Sequence, residues 1–158
     1  KSNLPAIHHA APSGEIEFQQ AGCQYAPHVV GMRVGQTLKV LNPDGTLHNV
    51  HVRPAINTEF NEAMPQFRAE ITKTFDKAEP EPFPIQCDVH PWMNAYAAVS
   101  DHPYFAVTTT TGAFEIPNLP AGTYTVQVWH ERLGKQTASV TVAEGATQEV
   151  AFTMTVPS

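Results

Sequence analysis

Residues 123–130, with the sequence TYTVQVWH, decide the fold class. Every second side chain from Tyr124 to Val128 is apolar or aromatic, and the side chains between them are those of Thr125 and Gln127. Successive side chains of a β-strand point to opposite faces of the sheet. This alternation therefore predicts a strand with one buried face and one solvent-facing side.

Runs of the same kind recur along the whole chain. β-branched and aromatic residues dominate them, and turn sequences such as Asn42-Pro43-Asp44-Gly45 lie between them. No helix of ordinary length is expected, only a short helical turn within Asn57–Gln66, before Pro65. The sequence therefore predicts an all-β protein. The expected strands are Glu15–Phe18, His28–Val34, Thr37–Asn42, Asn49–Val52, Glu70–Phe75, Phe83–Asp88, Tyr96–Ser100, Tyr104–Thr109, Ala113–Pro117, Thr123–His130, Thr137–Ala143 and Glu149–Val156.

The composition indicates a globular protein and argues against several classes of partner. Of the 158 residues, 42% are hydrophobic and 15% are charged, so the chain can bury a core. The formal charge is −6 and the basic residues do not cluster, which argues against nucleic acid and anionic membranes. Apolar runs are too short for a membrane-spanning helix. The chain starts at Lys1 without a methionine, and we expect a mature or trimmed bacterial protein that is periplasmic or otherwise exported.

A change in composition divides the chain near Asp101-His102-Pro103. Residues 1–100 hold both cysteines and most of the histidines, whereas residues 101–158 contain a simple meander with threonine-rich solvent faces. We therefore expect one domain over residues 1–100 and a smaller β-module over residues 101–158. The smaller module has few large apolar side chains, so we expect it to depend on the first domain for stability.

Four potential metal ligands stand out in the first domain: His48, Cys87, His90 and Met93. Two imidazoles, one thiolate and a weak thioether are the donors of a blue-copper electron-transfer site, because sulfur stabilises Cu(I) while imidazole suits Cu(II). Cys87 is at the end of a predicted strand, and a short loop stiffened by Pro91 carries the next two donors. Zinc also binds cysteine and histidine, but the additional methionine favours copper.

Two motifs around these residues resemble those of the cupredoxins, the family of type 1 blue copper proteins. His48-Asn49-Val50-His51-Val52 and Cys87-Asp88-Val89-His90-Pro91-Trp92-Met93 are similar to the His-Asn-Val-His-Phe strand and the Cys-x-x-His-Pro-Phe-Met loop of the short-loop amicyanin type. The resemblance covers residues 15–100 and implies a Greek-key β-sandwich. By the same resemblance Asn49 joins the two ligand segments through hydrogen bonds, and His51 is not a ligand. The copper ligands that it implies are His48, Cys87, His90 and Met93.

The C-terminal part resembles a different family. Residues 112–126, GAFEIPNLPAGTYTV, look like the signature of the transthyretin-like module, which is also called carboxypeptidase regulatory-like. The resemblance implies a small β-sandwich with a structural or interaction role and without catalysis. The module lacks its opening strands here, which predicts a merged or swapped arrangement with the first domain.

These features predict an electron carrier, and not an enzyme, in which one copper ion cycles between Cu(I) and Cu(II). Four protein ligands leave no open coordination position for a substrate. Electrons would pass through the edge of His90, and Trp92 is either a core residue or part of an apolar docking rim. The negative charge favours a redox partner with a basic docking face, such as a cytochrome or a larger oxidoreductase complex.

Cys23 keeps other interpretations open, because cupredoxins do not typically have a cysteine at this position. A Cys23–Cys87 disulfide would remove the thiolate and leave a metal-free exported binding or structural module. Alternatively, the two cysteines share a copper ion or change its coordination. The third interpretation is a histidine-rich copper-handling protein with a site that is not type 1. Its ligands would be His28, His48, His51 and His90.

Overall fold

The computed structural model describes residue 4, residues 9–10 and residues 12–156. Within these residues the chain forms strands, turns and loops without a helix, so the predicted all-β fold class is confirmed. Accordingly, no helix in the described part of the chain is long and apolar enough to cross a membrane. The strands are β1 Ile16–Gln20, β2 Tyr25–Ala26, β3 Val29–Arg33, β4 Thr37–Leu41, β5 His48–Val52, β6 Phe60–Met64, β7 Glu70–Thr74, β8 Phe83–Gln86, β9 Asn94–Ser100, β10 Gly122–His130 and β11 Gly134–Val142.

The chain divides into two compact units, of which the larger is His9–Glu115. This unit contains β1 to β9 in two sheets, with the strand orders β2-β1-β4-β7 and β3-β9-β8-β5-β6. Strands β1 and β4 pair in parallel, as do β3 and β9, and the other neighbours are antiparallel. The predicted domain limits, 1–100 and 101–158, stay a prediction.

The two sheets enclose one hydrophobic core, which makes the larger unit a β-sandwich. Phe18 on β1 and Leu38 and Val40 on β4 are fully buried on the first sheet, as are Val50 on β5 and Ile85 on β8 on the second. In β4 and β8 the buried residues alternate with more exposed neighbours, because one face of each sheet is turned inward. Burying one such side chain contributes about 1.5–3 kcal/mol, so a register slip by one residue is strongly disfavoured.

Strands β10 and β11 form an antiparallel hairpin in the second unit. Their register places Tyr124 opposite Val140, and both side chains are buried. Thr125 and Gln127 are exposed, whereas their neighbours Tyr124, Val126 and Val128 are buried or partly buried, as the alternation in the sequence predicts. The Tyr124 hydroxyl donates to the carbonyl of Pro120 at 2.8 Å, which holds the preceding turn against the strand.

The helical turn expected within Asn57–Gln66 is wrong, because Phe60–Met64 forms strand β6. This strand lies at the edge of its sheet and pairs with β5, with His48 opposite Met64. Met64 is fully buried, and along β6 more buried residues alternate with exposed ones. Backbone pairing with β5 and the burial of every second side chain stabilise the strand, and together they outweigh the weak local preference for a turn before proline.

Three predicted strands are wrong, because the described residues of these segments form no ladder with another strand. Alternating side chains indicate which residues pack inward, but a strand also needs a backbone partner for its N–H and C=O groups. In the last segment, for example, the carbonyl of Thr153 accepts a hydrogen bond from the side chain of Gln136 at 2.7 Å. The remaining predicted strands are present, with ends shifted by at most three residues. The three segments without strands are Tyr104–Thr109, Ala113–Pro117 and Glu149–Val156.

Candidate metal centre

Strand pairing brings the start of β5 and the end of β8 to the same edge of the sandwich. β8 runs antiparallel to β5, with His51 opposite Gln86. Cys87 directly follows β8, and His48 is the first residue of β5. The two predicted ligands therefore lie at neighbouring strand ends, although 39 positions separate them in the sequence.

The loop after β8 carries the other two predicted ligands. The Met93 N–H donates to the carbonyl of His90 at 2.8 Å, as in a β-turn, and Pro91 takes the second position of this turn, for which its ring sets a favourable φ. The Cys87 N–H donates to the carbonyl of Met93 at 3.1 Å and closes the loop. The Met93 side chain is buried, while His90 is partly exposed. The role of Met93 as a thioether ligand stays a prediction.

The Nδ1 atom of His90 lies close to donor atoms of both His48 and Cys87. The Nδ1 atoms of His48 and His90 are 3.0 Å apart, and Sγ of Cys87 is 3.7 Å from Nδ1 of His90. Metal–nitrogen bonds of about 2.0 Å and metal–sulfur bonds of about 2.3 Å allow two ligands of one ion to be up to roughly 4 Å apart. Both separations therefore fit ligands of a single ion, and imidazole and thiolate are donors that copper accepts. Since His48 and Cys87 are buried, bulk water is largely excluded.

Asp44, in the turn between β4 and β5, orients the ring of His48. Its Oδ2 lies 2.9 Å from Nε2 of His48, and the same carboxylate accepts the N–H groups of Cys23 and Gly22 at 2.9 Å each. The bonds from Cys23 and Gly22, and then the one from His48, lower the pKa of Asp44 to about 2. A charged carboxylate accepts the Nε2 proton, which assigns that tautomer and leaves the Nδ1 lone pair facing His90. Sequence reasoning missed this role, because aspartate is common in such turns for local reasons.

Cys23 lies beside this cluster. Its Sγ and one ring nitrogen each of His48 and His90 lie within 4.8 Å of one another. Cys23 and Cys87 are both free thiols, so the disulfide that the sequence left open is not formed in this structure. The sequence showed Cys23 only as a departure from the cupredoxin pattern, whereas the structure places it near two predicted ligands.

Asn49 connects the strand that carries His48 to the loop that begins at Cys87. Its Oδ1 accepts the N–H of Asp88 at 2.7 Å, and its Nδ2 donates to the Asp88 carboxylate at 3.1 Å, so the expected hydrogen bonds are present. Asn61 on β6 donates to the same carboxylate at 2.6 Å, and this bond is the first cause of the lowered pKa of Asp88. The network joins two strands to the loop and holds the backbone beside two predicted ligands, His48 and Cys87.

The other two histidines considered for an all-nitrogen site are engaged elsewhere. Nε2 of His51 lies 2.9 Å from Glu59, and its Nδ1 lies 3.2 Å from Asp88. The bond to Glu59 is the first cause of the raised pKa of His51. The ring of His28 packs edge-on against Tyr96, with 5.8 Å between the ring centroids. Neither histidine is part of the converging cluster described above.

Trp92 is 64% exposed and is therefore not a core residue. Its ring centroid lies 5.2 Å from that of His90, and its Nε1 donates to the carbonyl of Cys23 at 3.0 Å. Leu47 and Val89, each directly before a predicted ligand histidine, are also exposed. We call these three exposed side chains, Leu47, Val89 and Trp92, the apolar rim.

Comparisons with known proteins find both resemblances again. The family model of the carboxypeptidase regulatory-like domain matches residues 94–155. A search of curated proteins gave no significant match. Among solved structures, a reduced variant of amicyanin and the Cu(I) form of another amicyanin variant are each 24% identical, covering 56% of this chain and 85% of that chain, with TM-scores of 0.48. A purple cupredoxin from Nitrosopumilus maritimus is 19% identical and covers 53% of this chain and 98% of its own, with a TM-score of 0.44. At these identities and TM-scores the similarity assigns neither a metal nor a function to this chain.

Proposed function

We propose that this chain is a copper-binding electron-transfer protein that cycles between Cu(I) and Cu(II) at a type 1 site formed by His48, Cys87, His90 and Met93. The observation that carries the proposal is that Nδ1 of His90 lies 3.0 Å from Nδ1 of His48 and 3.7 Å from Sγ of Cys87, and that both of these neighbours are buried. Two imidazoles and one thiolate with a weak thioether are the donor set of blue-copper centres.

Bound copper would supply a one-electron couple to this site. His48 and His90 would hold the ion through Nδ1 and Cys87 through its thiolate, and Met93 would add a weak thioether. Asp44 already holds the ring of His48 in the required tautomer. Ligands that are positioned before the metal binds need little rearrangement when the oxidation state changes, and this favours electron transfer.

The surface near His90 suits contact with a protein partner. The apolar rim contains a tryptophan, a residue type that often anchors interfaces. The net charge of −6 favours a partner with a basic docking face, such as a cytochrome or an oxidoreductase complex. We include in the same proposal an exported, periplasmic location. The protein would be a carrier without catalysis, because four protein ligands leave no open coordination position for a substrate.

Addition of Cu(II) to the full chain tests this proposal. We expect one copper per chain and an intense visible absorption band, because the site would join a thiolate to Cu(II). The spectrum and the copper content are measured on the same sample after unbound metal has been removed. Free-thiol counting before loading is the control, since an oxidised Cys23–Cys87 pair could not supply the thiolate. A colourless protein that retains one copper per chain would contradict the type 1 site, and a protein with free thiols that retains none would contradict copper binding.

Replacing Asp44 with asparagine should lower the copper affinity about 10–100-fold, the usual effect of removing the group that orients a ligating histidine. The amide keeps the size of the side chain but removes the negative charge that accepts the Nε2 proton of His48. Competition with a Cu(I) chelator measures the affinity. Asp76→Asn, at an exposed aspartate after β7, is the matched control. Equal affinities of wild type and Asp44→Asn would contradict the positioning role.

A further inference from the structure

Cys23 has no role in the four-ligand site, yet its turn between β1 and β2 holds it in an unusual conformation. Its φ is 54°, in the left-handed region that residues other than glycine rarely occupy, and Gly22 before it has a φ of 62°. Such a conformation costs about 1–3 kcal/mol and persists only where surrounding contacts hold it. Glycine or asparagine would adopt it more readily, so the backbone alone does not explain a cysteine at this position.

Contacts from both ligand segments hold this turn. The Asp44 carboxylate accepts the N–H groups of Gly22 and Cys23 at 2.9 Å each while it also contacts His48. From the ligand loop, Trp92 Nε1 donates to the Cys23 carbonyl at 3.0 Å. The position of Cys23 is therefore tied to the strand that carries one predicted ligand and to the loop that carries the others.

We propose that Cys23 is a further sulfur ligand of the metal centre and binds copper beside His48 and His90; this rests on the proposed function. The Sγ of Cys23 lies within 4.8 Å of a nitrogen of His48 and of one of His90. A nitrogen and a sulfur bound to one ion at a tetrahedral angle lie roughly 3.5 Å apart, so a side-chain shift of about 1 Å is sufficient. A second soft thiolate strengthens the preference of the site for Cu(I).

Differential alkylation under anaerobic conditions tests this inference on the full chain. The metal-free protein and the protein with one equivalent of Cu(I) are treated with iodoacetamide, and peptide masses give the rate at which Cys23 is modified. Cys23 is partly exposed and should react in the metal-free protein. With Cu(I) we expect its reaction to be at least about tenfold slower, because a metal-bound thiolate is not a free nucleophile.

The copper content of the protein is measured after desalting. This measurement distinguishes a failure of this inference from a failure of the proposed function. A protein that retains one Cu(I) while Cys23 reacts at its metal-free rate would overturn the role of Cys23 and leave the four-ligand site standing. A protein that retains no Cu(I) would overturn both.

A pair of variants distinguishes the sulfur atom from the shape of the turn. Cys23→Ser keeps the size of the side chain, and we expect its Cu(I) affinity to fall about tenfold or more in chelator competition. Gly22→Ala is the matched control, because it strains the same turn at a φ of 62°, places its Cβ in open space and keeps the sulfur. An unchanged affinity for Cys23→Ser, or an equal loss for Gly22→Ala, would overturn the inference. Thermal unfolding of the metal-free variants verifies that both are folded.

Discussion

Replacing Cys87 with serine should remove most of the intense visible band of the Cu(II)-loaded protein, leaving only the contribution of Cys23, and lower the copper affinity by more than about a hundredfold. The sulfur of Cys87 is buried and lies 3.7 Å from Nδ1 of His90, so the proposed site would lose its innermost thiolate. A serine hydroxyl stays protonated at neutral pH and is a poor ligand for a soft ion. Absorption spectroscopy and chelator competition on the purified variant measure the two effects.

Cys23→Ser makes the same chemical change at the neighbouring cysteine and is compared with Cys87→Ser to rank the two sulfurs. It should keep a thiolate-to-copper band, because Cys87 remains, although the band will change if Cys23 is also a ligand. A Cys87→Ser protein that keeps the band at wild-type intensity would show that Cys87 is not the thiolate responsible. The thermal unfolding temperature of the metal-free variant must stay close to that of wild type for the comparison to count.

Replacing Glu79 with alanine should lower the free energy of unfolding by about 3 kcal/mol. The carboxylate of Glu79 is buried and accepts the N–H groups of Ala55, Ile56 and Asn57 at 2.9, 3.1 and 2.8 Å. These bonds hold the segment between β5 and β6, and alanine would leave its donors without an acceptor. Urea denaturation of the metal-free protein measures the change. Glu144→Ala, at an exposed glutamate, is the control and should change the stability far less.

The stabilisation from Glu79 should disappear in acid. Burial raises the pKa of Glu79, but the hydrogen bonds from Asn57, Ile56 and Ala55 outweigh burial and bring the pKa below its ordinary value of 4.5. A carboxyl whose pKa is lowered by folding stabilises the protein above its unfolded-state pKa, and this contribution is lost as the pH falls through the lowered value. The stability gap between wild type and Glu79→Gln should therefore be largest near neutral pH and shrink below about pH 4. A gap that is independent of pH would contradict this.

Local patterns in the sequence were sufficient for the fold class and for much of the ligand loop. The alternation in residues 123–130 is found in β10, because a strand with one buried face imposes that period on its own residues. The bend at Pro91 was also predictable, because the proline ring sets its own φ. Both features depend on residues that are close in the sequence.

Pairing between segments was harder to predict. The segment Phe60–Met64 lies within the helical turn that was expected before Pro65, yet it pairs with β5 as an edge strand. Conversely, Glu149–Val156 alternates cleanly but forms no ladder in its described residues. Whether a run becomes a strand depends on a partner, and single-segment patterns contain no information about the partner.

The sequence by itself determined the all-β class and predicted four ligands, His48, Cys87, His90 and Met93. Only the tertiary structure decided that Asp44 orients the ring of His48 and that Cys23 lies close to His48 and His90. The contact from Asp44 to Cys23 spans 21 positions and that from Trp92 to Cys23 spans 69. Such contacts arise because strand pairing brings distant turns to one edge of the sandwich, and their geometry is set by the sheets and not by the residues next to them in the chain.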